Sequence, residues 1–380
     1  MEVSIIMEGT MRAWFMTEPG KMEMREVPIP KIGPKDILFK VSYAAVCGSD
    51  LHAFDYGMAV QHYPITLGHE FTGYVVEVGS EVKDIPVGLR FMGTNIQWCE
   101  HCEACKSGNV FNCPDVTKNG LGFGVNGVFA EYCVLYNAML NVSVYPLADN
   151  INDMEGATCE PMCVGAGMAD ALDVQDGDHV VVYGAGIIGQ GIVQAIKARN
   201  KCEVAIVNRS TFRLELAKQS GADYVISPTA DKPAIESLRE IWGAAEYPYH
   251  YGKDTEACNV DIAVECTGNP DIVAECFHVV RKGGKVSLVA SYTDDVRAPL
   301  APADIYFKGP KLVDGLCGNF AKSVQLMSEG KFKTTHLITQ VFPLEQLPEA
   351  IAAAKKTKNS CKVCIKVDPT APDYPYNKQD

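Results

Sequence analysis

The stretch "HVVVYGAGIIGQGIVQAIKA", from His179 to Ala198, restricts the possible folds more than any other part of the chain. Its apolar start reads as a buried strand and its end carries helical spacing. Between them stand Gly184, Gly186 and Gly189 in the pattern G-x-G-x-x-G. Glycine-rich turns match that pattern by chance, but one that leaves a strand and opens a helix is a dinucleotide fingerprint. Gly184 allows the tight turn, Gly186 lets backbone approach a pyrophosphate, and Gly189 lets the helix pack on the sheet. The helix N-terminus then faces the phosphate charge. Ile187 and Ile188 at the helix start are further candidate contacts, as are Thr267 and Val289 near the ends of later strand signals.

Strand and helix signals keep alternating through "CEVAIVN", "LELAKQSG", "VDIAVECTG" and "KVSLVAS". That alternation predicts a doubly wound parallel sheet with crossover helices, an α/β class. Upstream, "DILFKVSYAAV" and "FTGYVVEVG" are short apolar alternations among many Gly and Pro, which predicts a twisted β domain. Past residue 305 the alternation stops, and "FPLEQLPEAIAAAKK" reads as a turn into a helix. A polar, Tyr-rich insertion at Tyr247–Cys258 interrupts the sheet region. The tail "TAPDYPYNKQD" is expected to fray or to reach a neighbour. At about 150 residues per domain, 380 residues make two.

The formal charge of −13, with no basic run, excludes a nucleic-acid partner, whose phosphates would be repelled. No apolar run reaches the roughly 18 residues of a membrane span, and "MEVSIIMEGTMRAW" has acidic residues where a secretion signal needs Lys or Arg. Fifteen cysteines are sparse for a disulfide scaffold of this length, which points to a reducing compartment and a cytoplasmic protein.

The strand after the Gly-rich turn ends in "VAIVNRSTFR". An NAD site usually places a carboxylate here for the ribose hydroxyls. Asn208 stands there instead, followed by Arg209, Ser210 and Arg213. Asn does not repel a 2′-phosphate, and a guanidinium grips one with two parallel hydrogen bonds. The expectation is NADP, with NAD as the alternative.

Cys99, Cys102, Cys105 and Cys113 follow C-x2-C-x2-C-x7-C, within "QWCEHCEACKSGNVFNCP". Four thiolates close a tetrahedral shell and leave no room for substrate, so this predicts a structural zinc lobe at 95–115. A catalytic zinc needs an open position and scattered ligands. "VCGSDLH" offers Cys47 with Ser49, Asp50 and His52, and "LGHEFTGYVVEVG" offers His69 and Glu70.

Together these motifs resemble the zinc-dependent medium-chain dehydrogenase superfamily that includes alcohol, sorbitol and threonine dehydrogenases. C-G-S-D-L-H at 47–52, G-H-E-x-x-G-x-x-x-x-x-G at 68–79, the four-Cys lobe, "ATCEPMCVG" at 157–165 and the Gly-rich turn carry the likeness. The resemblance implies a GroES-like catalytic domain at 1–165 and 305–380, a Rossmann domain at 166–304, and an active site in the cleft between them. It puts Cys47 and His69 on a catalytic zinc, with Glu160 as a polyol-type third ligand. Cys47, His69 and one carboxylate leave zinc formally neutral, whereas Glu70 and Glu160 together would make the site anionic and less Lewis acidic. Glu70 and Glu160 are therefore expected to alternate, or one to bind through water; Cys163 is read as packing.

The implied reaction moves a hydride between a secondary alcohol, polyol or hydroxy acid and a nicotinamide. Ser49 would take the hydroxyl proton and His52 would stand at the outer end of the relay, since histidine changes charge near neutral pH. Asp50 would orient His69 through its other ring nitrogen. Two zinc ions per chain and a homodimer or homotetramer are further implications. Gly88-Leu89-Arg90 replaces the family's G-D-R, Glu100 stands where Gly is usual, and "GLCGNF" lacks the arginine that polyol-type relatives offer to substrate. A zinc-free quinone or enone reductase, or a non-catalytic cofactor-binding protein on the same fold, are the rival readings. The Cys47, His69 and Glu160 set argues against the first, and Ser49 with His52 beside it against the second.

Overall fold

The strand signals in the middle of the chain assemble into one parallel sheet. The order is Tyr224–Ile226, Glu203–Val207, His179–Tyr183, Val260–Glu265, Val280–Leu288, Lys311–Val313. In chain order that is three-two-one-four-five-six, the doubly wound arrangement, reversing between His179–Tyr183 and Val260–Glu265. The structure is a computed structural model that describes residues 8–95, 98–107, 112–245, 257–293, 295–313, 315 and 318–378. The chain divides into two compact units, Met1–Pro161 with Leu337–Lys356 and Lys362–Asp380, and Met162–His336 with Thr357–Cys361.

The sheet unit reads as unbroken apolar runs because both of its faces are covered. Val180, Val181 and Val182 are consecutive and all fully buried. The expected return to the first unit at 305 is corrected to Leu337. Lys311–Val313 bonds beside Lys285–Ser287 as the sixth strand, so the sheet unit keeps the chain through His336. A second excursion, Thr357–Cys361, also belongs to the sheet unit. It is pinned there by Ser210 Oγ donating to the Lys358 carbonyl (3.0 Å) and Arg213 Nε donating to the Ser360 carbonyl (2.8 Å).

The first unit is organised by the strand Ile37–Ala45, which pairs antiparallel with Glu70–Val78, Lys362–Lys366 and Tyr132–Leu135. Its core is aromatic: Phe39 stacks on Phe71 at 4.7 Å between centroids and meets Phe91 edge-on at 5.2 Å. Such pairs add about 0.5–1.5 kcal/mol beyond their buried area. Arg90 pairs with the buried Asp153 and donates from Nη1 to the Ala148 carbonyl (3.4 Å), so the altered G-L-R turn still anchors its loop. The tail is not frayed up to Lys378. Tyr43 Oη donates to the Pro372 carbonyl (2.8 Å), the Tyr43 and Tyr374 rings lie 5.8 Å apart, and Asn377 N donates to the Ile338 carbonyl (3.0 Å). Of the insertion, residues 247–256 lie outside the described residues, as do 316 and 317 of "GLCGNF". Among the described residues no helix is long and apolar enough to cross a membrane.

Candidate active site

Pairing register builds the candidate metal cluster. Ala45 lies opposite Glu70 on one side and Cys364 on the other, so Cys47, Glu70 and Lys362 leave one end of the sheet together. Cys47 is the N-cap of the helix Gly48–Tyr56, and its N–H donates to Asp50 Oδ2 (2.9 Å). Gly68 N donates to Asp50 Oδ1 (3.2 Å), which stands 3.3 Å from His69 Nδ1. Asp50 thus fixes both the cysteine turn and the imidazole. The ligand atoms of Cys47, His69 and Glu70 all lie within 4.8 Å of one another.

Ser49 Oγ is 3.4 Å from His69 Nε2. His52 is exposed on the same helix, with its ring centroid 6.2 Å from that of Tyr56. Glu160, in the first turn of the helix Cys159–Ala171, stands outside the tight group, although its charge is felt there. Burial pushes its carboxyl up to about 7; Glu70 and Asp50 add to the rise, while His69 and Lys362 oppose it. Cys163 is buried in that helix, its carbonyl accepting from Asn319 N (3.0 Å), in keeping with packing.

Lys362 was not among the residues expected here. It is only 3% exposed, pairs with Glu70 Oε2 and donates to the Val46 carbonyl (2.9 Å). Burial alone would lower its pKa, but Glu70 and then Cys47 raise it, so the ammonium stays charged. At the head of "KVCIK" it reads as an ordinary strand-edge lysine, and no local motif marks it.

The donor set fits zinc: one thiol, one imidazole and carboxylate oxygen, the ligand types this ion takes. Glu70 Oε1 is buried without a hydrogen-bond partner, a desolvated acceptor that a cation would satisfy. Burial alone would lower the His69 pKa, but the facing Asp50 and Cys47 raise it well above the ordinary value. A proton there occupies the place a metal would take.

In the cysteine lobe the four sulfurs also lie within 4.8 Å of one another, with Cys102 and Cys105 Sγ 3.4 Å apart. Cys102 N and Cys105 N point at sulfur, each 3.4 Å from the Sγ three residues before it. Desolvation would raise the Cys99 thiol, but backbone N–H groups of His101 and Cys102 bring it down to about 6, favouring the thiolate that a metal needs. Glu100 sits at φ +64°, the left-handed region, which explains why glycine suits this position. Its carboxylate meets Lys35 at 2.9 Å on an exposed surface. Glu100→Gly is therefore expected to cost no stability, and to gain up to about 1 kcal/mol from relieved strain. A thermal melt that drops by several degrees would contradict this.

The dinucleotide turn has the steric form its glycines suggest. Gly184 is at φ +107°, and a Cβ on Gly189 would lie 1.9 Å from the Gly184 carbonyl oxygen. Gly186 is the N-cap of the helix Ile187–Lys197, and Gly186, Ile187 and Ile188 are partly exposed where the flanking residues are buried. Asn208 Oδ1 accepts from Ala185 N (3.3 Å), and its Nδ2 donates to the Ser210 carbonyl (3.2 Å). Ser210 caps the next helix, Arg209 is exposed, and Arg213 Nη1 would lie 3.9 Å from a Cβ on Gly186. Thr267 and Val289 follow adjacent strands. Thr267 N and Oγ1 donate to the buried Glu265 carboxylate, and Val289 N donates to the Glu265 carbonyl (2.8 Å).

Residues 33–145 match the alcohol dehydrogenase GroES-like domain family, and residues 188–329 match the zinc-binding dehydrogenase family. Sorbitol dehydrogenase of Bacillus subtilis is 30% identical over 92% of this chain and 95% of its own length. The chain belongs to the zinc-dependent medium-chain dehydrogenase superfamily. L-threonine 3-dehydrogenase of Legionella pneumophila (strain Corby) is a similar relative of this dehydrogenase, 32% identical over 88% of this chain and 93% of its own. A zinc-binding dehydrogenase of Sinorhizobium meliloti 1021 solved with NADP superposes with a TM-score of 0.81, at 26% identity, covering 94% of this chain and 100% of the other. An Escherichia coli CFT073 alcohol dehydrogenase solved with NADH gives 0.82 at 26%, covering 94% and 99%. This dehydrogenase is thus an NAD(P)-dependent enzyme acting on alcohol or polyol donors, with a GroES-like unit and a Rossmann unit.

Proposed function

We propose that this enzyme interconverts a secondary alcohol, polyol or hydroxy acid with its carbonyl product, prefers NADP, and holds one catalytic and one structural zinc. The observation that carries the reading is the group of partly buried Cys47 with buried His69 and Glu70, and Ser49 Oγ 3.4 Å from His69 Nε2. Cys47, His69 and one carboxylate would hold the catalytic ion, and the four lobe cysteines the structural one. Bound zinc supplies Lewis acidity that lowers the pKa of a hydroxyl beside it. The nicotinamide supplies the hydride chemistry, and the protein supplies orientation.

Ser49 would accept the hydroxyl proton, a role supported by its position beside His69 on the helix that Cys47 caps. His52, exposed three residues further along, is the solvent end of the relay. Asp50 keeps the imidazole in one orientation, so that Nδ1 faces the carboxylate and Nε2 faces Ser49. In the sheet unit, Asn208 adds no negative charge to the ribose side, and Arg209 and Arg213 offer guanidinium groups to a 2′-phosphate. The reading includes a cytoplasmic location, which the free thiols of the described cysteines support. Assembly as a dimer or tetramer follows the resemblance alone.

The test is a turnover screen of secondary alcohols, polyols and sugar acids with NADP and NAD in parallel. Activity on at least one of them, faster with NADP, is the expected result. No turnover on any alcohol by zinc-replete protein would overturn the reading.

A further inference from the structure

We propose that Lys362 is a positioning residue that restrains Glu70 from joining the metal's ligand set and so keeps a coordination position open for substrate. The inference rests on the metal reading above. Two carboxylates compete for that metal. Glu70 is fully buried and already within 4.8 Å of the Cys47 and His69 ligand atoms. Glu160 is outside that group but electrostatically coupled to it. Were both to bind along with Cys47 and His69, the shell would have four protein ligands and an excess negative charge, the form of a closed structural site.

Lys362 removes this conflict by geometry and by charge. Its ammonium pairs with Glu70 Oε2 and is held from behind by the Val46 carbonyl at 2.9 Å. Val46 N in turn donates to the Val363 carbonyl (2.9 Å), so backbone pairing fixes where the ammonium sits. Glu70 and Lys362 cancel as a buried pair. That leaves Cys47, His69 and Glu160 as the neutralising set for a divalent ion, with one position free. Without the ammonium, the buried Glu70 carboxylate has the metal as its nearest compensating charge, and a buried unpaired charge is strongly disfavoured.

The test uses full-length protein with cobalt(II) at the Cys47 site and zinc retained in the cysteine lobe, and reads the visible bands while imidazole is titrated in. Wild type should bind imidazole at the free position with a spectral shift. Lys362→Met should need about tenfold more imidazole or above, the usual scale for losing an outer partner of a metal ligand. Lys362→Arg should behave as wild type. Lys362→Met with Glu70→Gln should regain wild-type binding, because no carboxylate remains to be restrained.

Imidazole binding by Lys362→Met equal to wild type, or a double variant as impaired as Lys362→Met, overturns the proposal. Should Lys362→Met fail to fold, Glu70→Gln and the double variant are compared directly. They should bind imidazole alike, and a difference between them overturns it too. Wild type that takes up no cobalt at Cys47 sinks the metal reading itself, a separately visible outcome.

Discussion

Cys47→Ala is expected to remove turnover while leaving both units folded. The change deletes one sulfur at a helix N-cap that is only partly buried, and the bond from the residue 47 N–H to Asp50 survives because it uses backbone. What disappears is one ligand of the proposed three-residue set. The remaining His69 and a carboxylate hold a divalent ion far less tightly, and Lewis acidity contributes several kcal/mol to such reactions. At about 1.4 kcal/mol per tenfold, kcat/KM should fall by on the order of 10³ or more. Elemental analysis should show the metal content of purified protein dropping from two ions per chain to one, with the far-ultraviolet circular dichroism unchanged. A variant that keeps two ions and most of its activity would show that Cys47 is not where the chemistry is held. One that loses both ions would tie the lobe to the same event, against the separate roles argued for the two cysteine sets.

These residues are legible in the sequence because their chemistry forces local patterns. A thiolate shell needs close spacing, so the lobe announces itself within fifteen residues, from Cys99 to Cys113. The dinucleotide turn does so because sterics leave no alternative: with Gly189 against the Gly184 carbonyl, a larger residue would have to displace backbone. Cys47 and His69 were visible through two short motifs, although only the register of Ala45 with Glu70 explains why they meet. Lys362 was invisible for the complementary reason. Its partner Glu70 is distant in the chain, its own strand has no motif, and a buried lysine looks like any other until the sheet is built. The sixth strand, Lys311–Val313, was missed because three residues are too few to show a period. The tail has no apolar alternation, yet Tyr374 finds Tyr43.

Coenzyme choice is the other large effect, and it should respond to two substitutions. Asn208 Oδ1 accepts from Ala185 N, a role that a carboxylate oxygen fills equally well, whereas Nδ2 donates to the Ser210 carbonyl, a bond that Asn208→Asp gives up. The second oxygen of Asp is repelled by that carbonyl and should turn away from it; at the end of this strand a carboxylate bonds the ribose hydroxyls and repels a 2′-phosphate. Arg209→Ala removes an exposed guanidinium from the same place without disturbing packing. Arg213 is best left alone, because its Nε holds the Ser360 carbonyl and its loss would loosen the 357–361 excursion as well. A hydrogen bond to a charged partner contributes about 1.5–3 kcal/mol, and the new repulsion adds to its loss. The ratio of kcat/KM for NADP over NAD should therefore fall by on the order of 100-fold in the double variant. Most of the change should appear as a raised KM for NADP, since the 2′-phosphate is far from the reacting carbon and is bound equally in the ground and transition states. A ratio that stays put, in protein whose melt is unchanged, would mean that neither side chain reads the ribose, and the NADP proposal would be left resting on Arg213 alone.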